Sequence, residues 1–126
     1  MRTVLILMVT ALLTGCGGSY QVYHDRWNIG GYNDFQLDDN VFIVRSIVSG
    51  WHKPELARRH FDRRAKELCA QAGYTNYIVY PIEKKDYEMS DGETLTKSDI
   101  SNLCSTRVTI AGSPNCVIGM VVCTNP

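Results

Sequence analysis

The order of apolar and polar residues predicts strands on either side of a single helix. Residues 41–48 are rich in β-branched and aromatic side chains and lie between two turn-forming segments, which predicts a strand. Residues 31–37 could form a first strand that pairs with it through a hairpin. Residues 77–82 have a similar composition and predict another strand, which ends or bends near Pro81 because proline has no backbone donor.

Between these strands, residues 54–72 show the periodicity of a helix. Pro54 suits the first helical position, and Gly73 suits the position after the last one. Cys69 borders the apolar face of this helix. That face is formed by residues spaced three or four apart, namely Ala57, Phe61, Ala65, Leu68 and Ala72. We expect it to pack on a sheet.

The outer face of the predicted helix is basic. Its cations are Arg58, Arg59, Arg63, Arg64 and Lys66. Four of the five have a carboxylate four residues away, so we interpret them as partners in ion pairs on a solvated helix. Contact with lipid headgroups is the alternative. Phe61 and Leu68 are the only large residues on the apolar face, which argues against an interfacial helix.

The last third of the chain predicts a long polar connection followed by a hairpin. Residues 83–103 are polar, and a connection of this length is typical of functional or disordered loops. Strands at 105–111 and 117–124 would flank a Gly-Ser-Pro-Asn turn. Their register would place Cys104 near Cys123.

The predicted element order is therefore β-β-α-β-β-β. One helix covers one face of a sheet, so we predict an α+β fold: a two-layer sandwich in which an antiparallel sheet has one helix packed on one face. The folded domain would span residues 31–126, which is enough chain for one small core.

The N-terminus predicts export and lipid attachment. Arg2 is followed by the apolar run 4–13, which is too short to span a bilayer as a helix. Residues 13–16, Leu-Thr-Gly-Cys, resemble the lipobox of bacterial lipoproteins. The resemblance implies that residues 1–15 are removed as a signal peptide and that Cys16 carries a diacylglyceryl group and an acylated amine, palmitate being a typical acyl chain. Several acyl chains hold a protein firmly at a membrane.

The residues after Cys16 indicate a location and a spacer. In enterobacterial lipoproteins an Asp at the position of Gly17 would retain the protein in the inner membrane, so its absence favours the outer membrane, with the domain facing the periplasm or the cell surface. Residues 16–30 are interpreted as a spacer between lipid and domain. Without Arg2, 12 basic and 13 acidic residues remain, and this balance gives no reason to expect nucleic acid as a partner.

Four cysteines remain after Cys16, namely Cys69, Cys104, Cys116 and Cys123. An even number in an exported chain predicts two disulfides. The alternative is a metal site, but no pair has the spacing typical of zinc ligands, and the three histidines are scattered. No Cys-x-x-Cys motif indicates redox catalysis. We expect neither a metal nor a cofactor.

Geometry suggests how these cysteines pair. If strand 105–111 runs antiparallel to strand 77–82, the turn that carries Cys116 lies near the C-terminal end of the helix, where Cys69 is. Cys104 and Cys123 would then meet at the opposite end. We therefore expect the disulfides Cys69–Cys116 and Cys104–Cys123. Strand alternation opposes this arrangement in one respect, because Cys116 and Cys123 would nominally face opposite sides.

Two resemblances go beyond the lipobox. Residues 30–82 resemble a family of small bacterial lipoproteins of unknown function, and the matching positions are Gly30-Gly31-Tyr32, Gln36-Leu37-Asp38, Asn40, Phe42-x-Val44, Gly50, Arg64-Ala65-x-Glu67-Leu68 and Gly73-Tyr74. The C-terminal positions Cys104, Ser113-Pro114, Cys116 and Cys123 resemble the end of the Rcs envelope-stress sensor lipoprotein. That resemblance implies two interlocked disulfides in a small α/β domain.

The favoured functional hypothesis is a non-enzymatic envelope lipoprotein that binds another envelope component. Residues 83–103, Trp27, Trp51 and Tyr87 are candidate contact points, although the aromatic residues could equally pack against a sheet edge. An envelope-stress sensor is one alternative, suggested by the C-terminal resemblance.

A periplasmic hydrolase is the other alternative. Ser49 and His52 form the only Ser/His cluster, but neighbours in sequence lack the geometry of a nucleophile and its base, and no Gly-x-Ser-x-Gly motif occurs. We therefore expect no catalytic residues and no enzymatic activity.

Overall fold

The structure is a computed structural model that describes residues 20–22, 30–48, 54–104 and 115–126. Its elements in chain order are β1 (Gly30–Asp38), β2 (Val41–Val48), α1 (Pro54–Gln71), β3 (Asn76–Tyr80), β4 (Tyr87–Glu88), β5 (Thr94–Leu95), α2 (Lys97–Leu103) and β6 (Asn115–Thr124). Among these residues, neither helix has the length and apolar character needed to cross a membrane.

The main sheet has four antiparallel strands in the order β1-β2-β6-β3. The predicted α+β fold, the antiparallel sheet and the helix that follows the first hairpin are thus confirmed. The last strand, β6, lies between β2 and β3, with Gly119 opposite Val44 and Cys123 opposite Tyr77. The strand predicted at 105–111 lies outside the described residues.

Helix α1 packs on one face of the sheet through four of the five predicted apolar residues, whereas Ala72 is exposed and follows the end of the helix. Phe61 and Ala65 are fully buried against Phe42 and Val121 of the central strands. Gly119 lies beneath Phe61, and a Cβ atom there would come within 2.8 Å of Val79 Cγ1 and 3.2 Å of Phe61 Cζ. The absence of a side chain at Gly119 therefore sets how closely the helix approaches the sheet.

The opposite face of the sheet is also covered, by residues that were predicted to be a polar connection. Strands β4 and β5 form a short antiparallel pair, and helix α2 follows them. Their buried side chains Tyr87, Leu95 and Ile100 pack on Ile43 of β2. The segment 83–103 is thus a packed layer, in which the apolar residues are too widely spaced to give a recognisable period.

Polar residues of this layer define where α2 begins. The Thr96 hydroxyl accepts a hydrogen bond from the backbone N–H of Asp99, and the Asp99 carboxylate accepts one from the N–H of Thr96. This reciprocal capping box satisfies two donors at the start of the helix and lowers the pKa of Asp99.

The buried cation Arg45 connects α2 to the sheet. Its guanidinium donates to the carbonyl oxygen of Leu103 at 2.7 Å and to Oδ1 of Asn33. A cation at the C-terminal end of a helix interacts favourably with the helix dipole and with carbonyl groups that have no partner within the helix.

The two predicted disulfides are present, but the predicted pairing was wrong. Cys69 bonds to Cys123 and Cys104 bonds to Cys116, with Cα–Cα distances of 5.4 and 5.7 Å. Alternate residues of a strand point to opposite faces, so Cys123 faces α1 and Cys116 faces the end of α2. The predicted pairing assumed that Cys123 lay across a hairpin from Cys104, whereas Cys123 lies opposite Tyr77.

We expect the two disulfides to differ in their contribution to stability. Loop closure predicts that Cys69→Ser/Cys123→Ser lowers the free energy of unfolding by about 4 kcal/mol and Cys104→Ser/Cys116→Ser by about 3 kcal/mol. The difference arises because the first bond joins residues 54 apart and the second joins residues 12 apart. Denaturant unfolding of the purified chain measures both values, and a larger loss for the second pair would contradict this ranking.

Candidate functional site

The structure places the residues predicted as contact points in different settings. Tyr87 is buried, and its hydroxyl donates to the carbonyl oxygen of Glu83 and accepts from the Glu83 N–H, at 3.0 and 3.2 Å. It supports the layer on the second face and is not an exposed contact residue. Cys16, Trp27, Trp51 and the Ser49–His52 cluster lie outside the described residues.

Residues 20–22, which belong to the segment predicted as a spacer, contact the folded domain. Gln21 accepts a hydrogen bond at 2.9 Å from the backbone N–H of Tyr32, and Val22 forms a parallel bridge with Tyr32. The backbone is therefore attached to the edge of β1 only five residues after Cys16.

Tyr20 forms the centre of this attachment. Its hydroxyl donates a 2.5 Å hydrogen bond to Glu67 Oε2 of α1. Its ring stacks on Tyr32, with centroids 4.7 Å apart, and meets the His60 ring edge-on at 5.5 Å. One side chain thus contacts both the first strand and the helix.

Two arginines of α1 complete the cluster. The Arg63 guanidinium lies 4.0 Å from the centre of the Tyr20 ring, and that of Arg64 lies 4.6 Å from the centre of the Tyr32 ring. Both also pair with Glu67 at 3.3 Å, and Arg64 Nε donates to Asp34 at 2.7 Å. The planar guanidinium of arginine can lie flat on an aromatic ring and donate to carboxylates in a fork, whereas lysine interacts as a point charge. We call Tyr20, Tyr32, Arg63, Arg64 and Glu67, with Asp34 and His60, the tyrosine–arginine cluster.

The protonation states in this cluster support its hydrogen bonds. Burial, together with the hydrogen bond to Glu67, raises the pKa of Tyr20 well above its usual range. Burial also raises the pKa of Glu67, but hydrogen bonds from Tyr20, Arg64 and Arg63 outweigh it and leave that pKa below its usual value. At neutral pH the phenol therefore donates and the carboxylate accepts.

The outward face of α1 carries a row of cations that includes Arg63 of this cluster. Arg59, Arg63 and Lys66 recur at spacings of four and three, and all are exposed. Arg63 pairs with Glu67, whereas the ion pairs found among the described residues include neither Arg59 nor Lys66. We call these three residues the basic row.

A second exposed surface lies at the edge strand β3. Ile78, Val79 and Tyr80 are 48%, 36% and 48% exposed, which is high for large apolar side chains. Strand β3 ends the sheet order, and within the described residues only β6 pairs with it. Its outer row of backbone donors and acceptors therefore has no strand partner in the described parts of the chain.

The described side chains offer no arrangement typical of catalysis by a metal. Within these residues, no group of three or more His, Cys, Asp or Glu side chains is placed to hold a metal ion. Comparison of the chain with protein-family models, with curated proteins and with solved structures found no match.

We expect the attachment of Tyr20 to weaken in acid. The folded-state pKa of Glu67 is lowered, so its contribution to stability is present above the unfolded-state pKa of about 4.3 and is lost as the pH falls through the lower folded value. At pH 7, Glu67→Gln should lower the free energy of unfolding by about 1 kcal/mol, as for a partly exposed hydrogen bond to a charged group.

Thermal unfolding from pH 7 to pH 3 measures this effect. The difference between the original chain and Glu67→Gln should disappear at low pH, because a protonated Glu67 resembles glutamine. Glu88→Gln, an exposed carboxylate on β4, is the control and should differ little from the original chain at any pH. A difference that does not shrink as the pH falls below about 4 would contradict the role given to the Glu67 charge.

Proposed function

We propose that this chain is a non-enzymatic bacterial lipoprotein, attached through Cys16 to the outer membrane, that binds an extended segment of another envelope protein along β3. The exposed apolar edge of β3 is the observation that carries the binding part of the proposal. Exposed sheet edges accept an added strand, in which backbone hydrogen bonds give affinity and alternate side chains give specificity.

The composition of β3 favours such pairing. Natural proteins protect free edges with charged residues, prolines or bulges. The sequence of β3, Asn-Tyr-Ile-Val-Tyr, has no charge and no proline. A regular register with β6 over all five residues leaves the strand straight enough to pair on its other side.

The orientation of the side chains defines what the partner would contact. Tyr77 and Val79 face α1, and the Tyr77 hydroxyl donates to Asp62 at 3.2 Å. Ile78 and Tyr80 lie on the opposite face, beside Met120 of β6. An added strand would therefore place apolar side chains next to Ile78 and Tyr80.

The proposed attachment rests on the sequence of residues 1–16 and is compatible with the rest of the molecule. Two disulfides suit an exported domain in an oxidising compartment. The resemblance of residues 30–82 to small bacterial lipoproteins also supports attachment to the outer membrane.

Lipid attachment predicts a specific effect of Cys16→Ala. The variant should incorporate no labelled palmitate and should leave the membrane fraction, because no acyl chain remains to hold it. Gly17→Asp is the matched control, which should keep its label but move to the inner membrane. Retention of palmitate by Cys16→Ala would contradict the assignment of Cys16.

Partner binding predicts position-dependent crosslinking in cells. A photoreactive amino acid at Ile78 or Tyr80 should capture a discrete partner, whereas the same group at exposed Glu88 should not. The captured protein, once purified, should bind the original chain and lose roughly tenfold or more in affinity for Ile78→Lys, since a buried unpaired charge is costly. Glu88→Lys should bind normally.

Two results would contradict binding at this edge. One is equal capture from Ile78 and Glu88. The other is a crosslink within the chain itself, which would show that the chain's own residues cover β3.

A further inference from the structure

The tyrosine–arginine cluster limits how far the domain can lie from the site of lipid attachment. Three residues, 17–19, separate Cys16 from Tyr20. The four Cα–Cα steps between them span at most about 14 Å. Tyr20 is itself held on the flank of α1 by Glu67 and Arg63. Acyl chains on Cys16 would therefore enter the membrane within this distance of α1.

The same geometry excludes the opposite side of the domain as the side that faces the membrane. A domain of about 100 residues has a radius of gyration of about 13 Å, so its far surface lies well over 20 Å from a residue on its near surface. Helix α2 and the β4–β5 pair lie on that far face, across the sheet from α1. A connection of three residues is too short to bring the lipid there.

The face of α1 that this places nearest the bilayer is basic. The helix carries five cations and three carboxylates, whereas the whole chain has a formal net charge of zero. The carboxylates Asp62 and Glu67 pair with Arg58 and with the arginines of the cluster. Arg59 and Lys66 remain exposed on the outward face and take part in none of the ion pairs among the described residues.

From this arrangement we propose that the basic row, Arg59, Arg63 and Lys66, binds the phosphate groups of anionic lipids in the membrane that holds the chain, and so fixes α1 parallel to the bilayer surface. The inference rests on the proposed attachment through Cys16. Cations near an anionic membrane are attracted over about a Debye length, about 8 Å at physiological ionic strength, and a connection of at most about 14 Å lets the row approach the membrane within that range.

Only two of the ion pairs expected from the sequence, Arg58–Asp62 and Arg63–Glu67, are found among the described residues, and the pairs expected for Arg59 and Lys66 are not. The two that form neutralise Arg58 and hold Arg63 in place, but they leave the outermost cations available. The absence of large apolar residues on this face means that the helix would lie on the headgroups without inserting between acyl chains. Lipid attachment supplies the stable anchoring, and the basic row supplies orientation.

Lysine acetylation tests the orientation directly. The lipidated full chain is reconstituted in vesicles of phosphatidylcholine alone, or with about one third phosphatidylglycerol, and treated with a membrane-impermeant acetylating reagent. Mass spectrometry compares Lys66 with Lys97, an exposed lysine on α2. In anionic vesicles we expect Lys66 to react roughly threefold or more slowly relative to Lys97, and about 1 M salt should remove the difference by screening.

A matched pair of charge reversals provides the control. Arg59→Glu should restore the rate at Lys66, whereas Lys84→Glu, an equal change of charge at an exposed position after β3, should not. Neither residue belongs to the tyrosine–arginine cluster, so both variants keep the attachment of Tyr20.

Vesicle flotation separates the two ways in which the inference could fail. If the chain floats with vesicles but the acetylation of Lys66 and Lys97 is slowed equally, the proposed orientation is overturned and the lipid attachment stands. If the chain fails to float with neutral vesicles, the attachment through Cys16 is wrong and the orientation falls with it.

Discussion

The alternation of side chains along β6 is the constraint on which the rest of the structure depends. This strand is central in the sheet, and its odd-numbered residues face α1 while its even-numbered residues face the other layer. Cys123 therefore bonds to α1, and Cys116 bonds to the residue that follows α2. Each layer is covalently fixed to the same strand from opposite sides. A shift of one residue in the β6 register would reverse both connections and place Gly119 away from Phe61.

Local patterns predicted the elements that have a clear period. Strands β2 and β3 follow from runs of β-branched and aromatic residues, α1 follows from apolar residues spaced three or four apart, and β1 was expected only as the hairpin partner of β2. The second layer was not predicted, because its elements are too short to show a period: β4 and β5 contain two residues each and α2 contains seven. The capping residues Thr96 and Asp99 were present in the sequence and could have indicated α2.

Non-local arrangement was the part that sequence patterns did not determine. The insertion of β6 between β2 and β3 joins residues that are 40 or more apart, and no local pattern specifies it. The disulfide pairing follows directly from that insertion, so a wrong assumption about neighbouring strands produced wrong bonds. The tyrosine–arginine cluster was missed for a similar reason, since Tyr20 lies 47 residues from Glu67 in the chain.

The two surfaces proposed for function are compatible because the sheet separates them. The basic row lies on the outward face of α1, and Ile78 and Tyr80 lie on the other face of the sheet, at its edge. If the domain rests on headgroups through α1, the face of the sheet that carries Ile78 and Tyr80 is turned away from the bilayer. In the proposed attachment, the short connection to Cys16 would do more than retain the chain, because it would select which face is turned toward the membrane and which is presented to a partner. A long flexible connection would allow the domain to rotate and would give up that selection.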